Sequence, residues 1–143
     1  RLSGGMDSLS DPSDWSRRPM ALEDYFEPVA LDERRPVELG GFALSCRPTL
    51  HHVFTTALRI RAGGRELGVS SDTAHDPALI EWLAEADLFL HETGSPGVHT
   101  PYAALAALPP GVRARLRLIH YPDGFAPPPG GLELLVEGRR YEV

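Results

Sequence analysis

Six histidines and a few carboxylates are the side chains of this chain best suited to chemistry. Three of these residues, His51, Asp72 and His120, have the same local setting: each ends or follows a short apolar run that reads as a buried strand. Strand ends are where an α/β protein collects reactive side chains, because the scaffold behind them is rigid. Two imidazoles and a carboxylate make a ligand set for a zinc-like divalent metal. His51 competes with His52 for one place, since neighbouring residues of a strand point to opposite faces. Glu92 and His99 lie between the second and third of these positions. His99 stands at the start of a helix, where the plain alternative is a surface histidine. Asp72 taken alone reads more often as a structural helix-capping turn.

The elements that must hold these residues can be read from the pattern. Residues 36–50 read as two strands around Gly40-Gly41, and Thr55 to Arg61 as a third with alternating apolar positions. Gly63-Gly64 is a two-residue hairpin signal, and Arg65 to Ser70 is the returning strand that feeds Asp72. Asp76-Pro77 predicts a helix start, with an apolar stripe of Leu79, Ile80, Leu83 and Ala84. Asp87 to Leu90 follows as a strand. A second helix is expected from Thr100-Pro101 and ends at Pro109-Pro110-Gly111. Leu116 to Ile119 is the next strand. Strand, helix, strand, helix, strand implies a parallel sheet with right-handed crossovers. Before this region, residues 1–18 read as polar and irregular, 19–27 as a short helix with Met20, Tyr25 and Phe26 on its buried side, and 28–31 as a short strand. After it come a Pro/Gly loop at 122–131 and a final hairpin over Leu132 to Val143.

Bulk composition narrows the function classes. The 143 residues are one domain by length, with 42% hydrophobic and 24% charged residues, as in ordinary globular proteins. The net charge of −6 argues against a general polyanion-binding surface, which needs clustered basic residues. No apolar run approaches the ~20 residues of a membrane span. Cys46 is alone, so it forms no disulfide within the chain, and it reads as a buried, inert residue. A cytoplasmic location is the expectation.

Five islands together resemble the metallo-β-lactamase-fold hydrolases, and most closely their ribonuclease Z-like phosphodiesterase branch. They are His51 with Leu58-Arg59-Ile60, the turn Ser70-Ser71-Asp72-Thr73, the strand end His91-Glu92-Thr93, the helix start His99-Thr100, and Leu118-Ile119-His120. The resemblance covers residues 36–123. It implies an α/β fold, half of an αββα sandwich with a mixed sheet flanked by helices. On this reading 1–143 is the C-terminal part of one such domain, with 1–35 an irregular lead-in and short helix and 36–143 the sheet and helices. It further implies two divalent ions, zinc by preference, held by His51, Asp72 and His120, with Asp72 bridging. His99 would be the acid at the leaving group, and Glu92 would orient it or a ligand. His91 and Thr93 would support that shell, and His75 is expected to be exposed. The family's His-x-His-x-Asp-His loop is absent from these residues, so the expected partner is an N-terminal half of the same fold, without which the chain would be inactive. The ribonuclease's long tRNA-gripping arm is replaced by the tight hairpin. The expected substrate is therefore a small-molecule or nucleotide phosphodiester, without a membrane partner; a homo-oligomer is compatible. The alternative is a non-catalytic scaffold or partner-binding module of the same fold.

Overall fold

A computed structural model describes residues 22–143. The chain divides into two compact units, Arg1–Ala30 and Leu31–Val143. In the first, the expected helix at 19–27 begins outside the described residues. Its described part is a single 3-10 turn at Leu22–Asp24, and Tyr25 and Phe26 are exposed rather than buried. Residues 28–31 form no strand and stand exposed, which corrects the expectation there. Pro28 cannot donate to a ladder, and the run is too short to pair without a neighbour.

The second unit is one seven-stranded sheet in sequential order: β1 (Val37–Leu39), β2 (Phe42–Pro48), β3 (Thr56–Ala62), β4 (Arg65–Val69), β5 (Leu88–Glu92), β6 (Leu116–Ile119) and β7 (Glu133–Leu134). The first four pair antiparallel and the last four parallel, with β4 common to both sets. Two two-residue turns make the antiparallel part. Gly40-Gly41 and Gly63-Gly64 take φ of +56°, +87°, +59° and +80°, the left-handed pairs that match strand twist.

The parallel part needs crossovers, and helices supply two of them. Helix α1 (Pro77–Leu83) starts where the Asp76 carboxylate accepts the Ala78 and Leu79 amides at 3.0 and 3.2 Å, with Pro77 in the first turn. It buries Leu79, Ile80, Trp82 and Leu83. Helix α2 (Tyr102–Ala106) is short, and α3 (Pro110–Arg113) begins where the sequence reading ended a helix. Pro110 breaks α2 and then opens α3, because a first-turn proline loses no hydrogen bond.

The core lies between these helices and one sheet face, with Phe89, Leu83, Leu105, Leu116 and Leu118 fully buried. On the opposite face the ladder aligns Leu58 with Val69, Ile60 with Leu67, and Val69 with Leu90, all half-buried. Arg59 ties β3 to β4 and α1 through ion pairs with Glu66 and Glu85 and a 3.2 Å bond to the Trp82 carbonyl. Phe42 is 49% exposed because it opens β2 at the hairpin. Cys46 is buried and free, and burial pushes its thiol pKa up. The expected final hairpin is not formed. Leu132 enters the core and β7 pairs parallel to β6, after which no strand returns; the Tyr141 hydroxyl instead accepts the Val136 amide. Among the described residues no helix is long and apolar enough to cross a membrane.

Candidate metal centre

Three segments converge at the C-terminal end of the parallel strands, where open α/β sheets place their ligands. The β2–β3 loop carries His51, the turn after β4 carries Asp72, and the end of β6 delivers His120. The sequence reading placed His51 on a strand end. In the structure it lies in a bend over 51–53, so face alternation does not apply. The bend nonetheless separates the pair: the His51 side chain is 4% exposed and faces Asp72, while His52 is exposed and its ring centroid lies 4.2 Å from that of His51.

Asp72 divides its carboxylate between two histidines. Oδ1 is 3.0 Å from His120 Nδ1, and Oδ2 is 4.0 Å from His51 Nε2. The residues that aim these side chains are in uncommon backbone conformations. Ser71 and His120, neither a glycine, have φ of 53° and 47°. Such left-handed residues cost energy and persist only where the surroundings hold them.

His99 joins the same cluster. Its ring centroid lies 5.7 Å from that of His51 and 5.2 Å from that of His120. Gly94 makes room for it, since a Cβ there would meet the Cβ and Cγ of His99 at 3.0 Å. Behind it stands Glu92, with its side chain fully buried. Glu92 Oε1 accepts the Thr100 amide at 2.9 Å and the Thr73 amide at 3.3 Å, and Oε2 lies 3.1 Å from His99 Nδ1. Burial raises the Glu92 pKa, against the lowering effect of those two amides and of His99.

The contact between Glu92 Oε2 and His99 Nδ1 is close but not aligned as a hydrogen bond. Both atoms, and His51 Nδ1, are buried without a hydrogen-bond partner among the described residues. Buried polar atoms rarely stay unpaired, and a cation is one of the few species that satisfies several at once. Donor atoms of Glu92, His99 and His120 also lie within 4.8 Å of one another. The residues present therefore fit a divalent metal. Sequence reading expects Glu92 to orient a ligand or His99; that its Oε2 is buried and unpaired beside His99 Nδ1 is a feature no spacing rule reveals.

His91 and His75 lie apart from this cluster. His91 is fully buried on the helix side of β5, where its Nδ1 meets the Glu92 carbonyl at 2.7 Å. His75 is exposed and borders a cavity of about 500 Å³ formed by α1, α2 and α3, which none of the five clustered residues lines. Thr93 is buried, with its hydroxyl donated to the Thr100 carbonyl at 2.9 Å.

Known proteins resemble this chain at the level of family and fold. A family model described as "Anti-Pycsar protein Apyc1" matches residues 1–136. The cGMP-dependent 3′,5′-cGMP phosphodiesterase A of Dictyostelium discoideum is 30% identical over 130 residues, a match covering 79% of this chain and 15% of that protein. The cAMP/cGMP-dependent 3′,5′-cAMP/cGMP phosphodiesterase B of the same organism is 22% identical over 118 residues, covering 70% of this chain and 11% of its own. The chain thus spans a small part of the length of these curated relatives. The metallo-β-lactamase fold protein YhfI from Bacillus subtilis superposes with a TM-score of 0.58 at 23% identity, covering 68% of this chain and 43% of that one. The sheet and helices of Leu31–Val143 are accordingly part of a metallo-β-lactamase fold.

Proposed function

The chain belongs to the anti-Pycsar protein Apyc1 family, and on that footing we propose that it serves a metal-dependent phosphodiesterase. The observation that carries this reading is the divided carboxylate of Asp72, one oxygen toward His120 and the other toward His51. A single carboxylate so placed is suited to hold two cations, with His51 and His120 each on one of them. Zinc suits the imidazole and carboxylate donors. When bound, two such ions supply a water of lowered pKa and polarise a phosphoryl oxygen. The rest of the ligand set is expected from a His-x-His-x-Asp-His loop outside these residues.

The remaining tasks fall to this chain's own side chains. His99 faces Glu92 through Nδ1, which leaves Nε2 as the nitrogen that meets substrate and gives a proton to the leaving oxygen. Glu92, fixed by the Thr73 and Thr100 amides, sets the direction of that ring. A small substrate fits the tight Gly63-Gly64 hairpin and the net charge of −6. The named activities of the two Dictyostelium relatives favour a 3′,5′-cyclic nucleotide.

Metal content and hydrolysis of 3′,5′-cyclic nucleotides test this reading in the protein and in three variants. Asp72→Ala should lose the most activity and metal, because a bridging carboxylate holds both ions. His120→Ala should lose metal from one site. His99→Ala should keep its metal and turn over ~10²–10⁴-fold more slowly, the range for a lost general acid. Full activity in Asp72→Ala refutes the bridging role. Unchanged metal in both Asp72→Ala and His120→Ala moves the assignment to a non-catalytic module of the same fold.

A further inference from the structure

We propose that Thr49 and Thr55 are positioning residues that aim the Asp72 carboxylate, an inference that rests on the metal-site reading above. The carboxylate of Asp72 receives no backbone amide or hydroxyl hydrogen bond among the described residues; it faces only His51 and His120. Its direction is therefore set by its backbone. At the Asp72–Thr73 peptide, the Thr73 amide donates to Glu92 Oε1 at 3.3 Å, and the Asp72 carbonyl is held from the β2–β3 loop. The hydroxyl oxygens of Thr49 and Thr55 both lie within hydrogen-bond reach of the Asp72 carbonyl, at 2.8 and 2.9 Å, and touch each other, so one hydroxyl donates to the carbonyl and the other to its neighbour. Either hydroxyl can supply the proton to that carbonyl when the other is lost.

The two threonines are themselves locked together. The Thr49 amide donates to the Thr55 carbonyl at 3.1 Å, closing the loop that carries His51, and the two hydroxyl oxygens are in contact. Thr55 leads directly into β3, which pairs with both β2 and β4. The next residue, Thr56, accepts the Ser71 hydroxyl at 2.8 Å and so helps hold the left-handed residue before Asp72. Leu50 completes the tie, its carbonyl accepting the Ala74 amide at 2.7 Å. The loop bearing one metal ligand and the turn bearing another are thus joined through two side-chain hydroxyls. Losing both should loosen the Asp72 carbonyl and with it the aim of the carboxylate, which weakens metal binding.

The test uses the intact protein with zinc alone as the probe, and affinity is measured by competition against a chromophoric chelator. Either Thr49→Val or Thr55→Val should weaken binding only a few-fold, because one hydroxyl remains. The double valine variant should lose about 10–100-fold, the usual cost of removing an outer partner of a metal ligand. The double serine variant, Thr49→Ser with Thr55→Ser, should bind nearly as the unchanged protein does. A folded double valine variant with unchanged zinc affinity overturns the inference, and so does a serine pair as weak as the valine pair. If the double valine variant does not fold, the single valines decide: the loss must appear in each and be restored by serine at the same position. Protein with both threonines that binds no zinc overturns the metal site itself, an outcome distinct from the failure of the threonines alone.

Discussion

Replacing His91 with leucine should make the fold less sensitive to acid, by an amount that follows from its surroundings. His91 is fully buried, with one ring nitrogen against the Glu92 carbonyl and the other, Nε2, unpartnered among the described residues. Burial lowers its pKa from 6.5 to about 4; the Glu92 carbonyl works against this shift and the charge of His75 adds to it. The folded protein therefore keeps this ring neutral across a range in which the unfolded chain protonates it. Where the unfolded state holds more protons, stability rises with pH. The contribution is thus fully present above pH 6.5 and is lost as the pH falls toward about 4. The interval corresponds to about 3 kcal/mol, a large part of the roughly 5–15 kcal/mol that holds a domain together. Glu92 acts in the opposite sense. Its raised pKa lets the fold take up a proton before the unfolded chain does, which adds stability on acidification. Urea unfolding of the unchanged protein and of His91→Leu, stepped from neutral pH to about pH 4, isolates the histidine, because Glu92 is common to both. The variant should start lower by roughly 1–3 kcal/mol at neutral pH, since the Glu92 carbonyl loses its donor. Its curve should then fall less steeply, and the two should converge or cross in acid. Parallel curves would refute the argument that His91 is held neutral by burial.

Two further outcomes follow from the geometry. Asp76→Ala removes the carboxylate that caps α1 and should cost ~1 kcal/mol in denaturant unfolding, whereas Asp76→Asn should cost little, since asparagine caps as well. Gly94→Ala places a methyl group against the ring of His99 and should shift it by a few tenths of an ångström. Turnover should fall by ~10-fold or more with metal content unchanged, because misplacement of about 1 Å can cost 10²-fold; equal turnover would show that His99 needs no such placement.

Much of the frame was legible because its signals are local. Gly40-Gly41 and Gly63-Gly64 carry their turn geometry in their own backbones, and Asp76-Pro77 starts α1 with groups no more than three residues apart. The parallel order of β4, β5 and β6 followed from helices that alternate with strands. The misread elements depend on neighbours distant in sequence. Whether Leu132 to Val143 turns back on itself depends on Leu132 entering a core built by residues far earlier in the chain. Pro110 reads as a helix stop or a helix start, and the pattern alone does not choose between them.

The same division explains what the sequence could and could not say about the site. His51, Asp72, His99 and His120 are visible because ligand chemistry restricts residue type, so they stand out wherever they occur. What aims them is chemically ordinary. Thr49 and Thr55 are two ordinary threonines at the ends of the β2–β3 loop, and they matter through one carbonyl, 23 and 17 positions away. The Oε2 of Glu92 is buried, unpaired and 3.1 Å from His99 Nδ1, which no pattern in the sequence shows. A ligand is fixed by its own functional group, but its direction is fixed by hydrogen bonds that close only when β3, the turn after β4 and the loop between β2 and β3 meet. Chemical identity is thus written residue by residue, while aim is a property of the assembled sheet, and the threonine pair is where that difference can be measured.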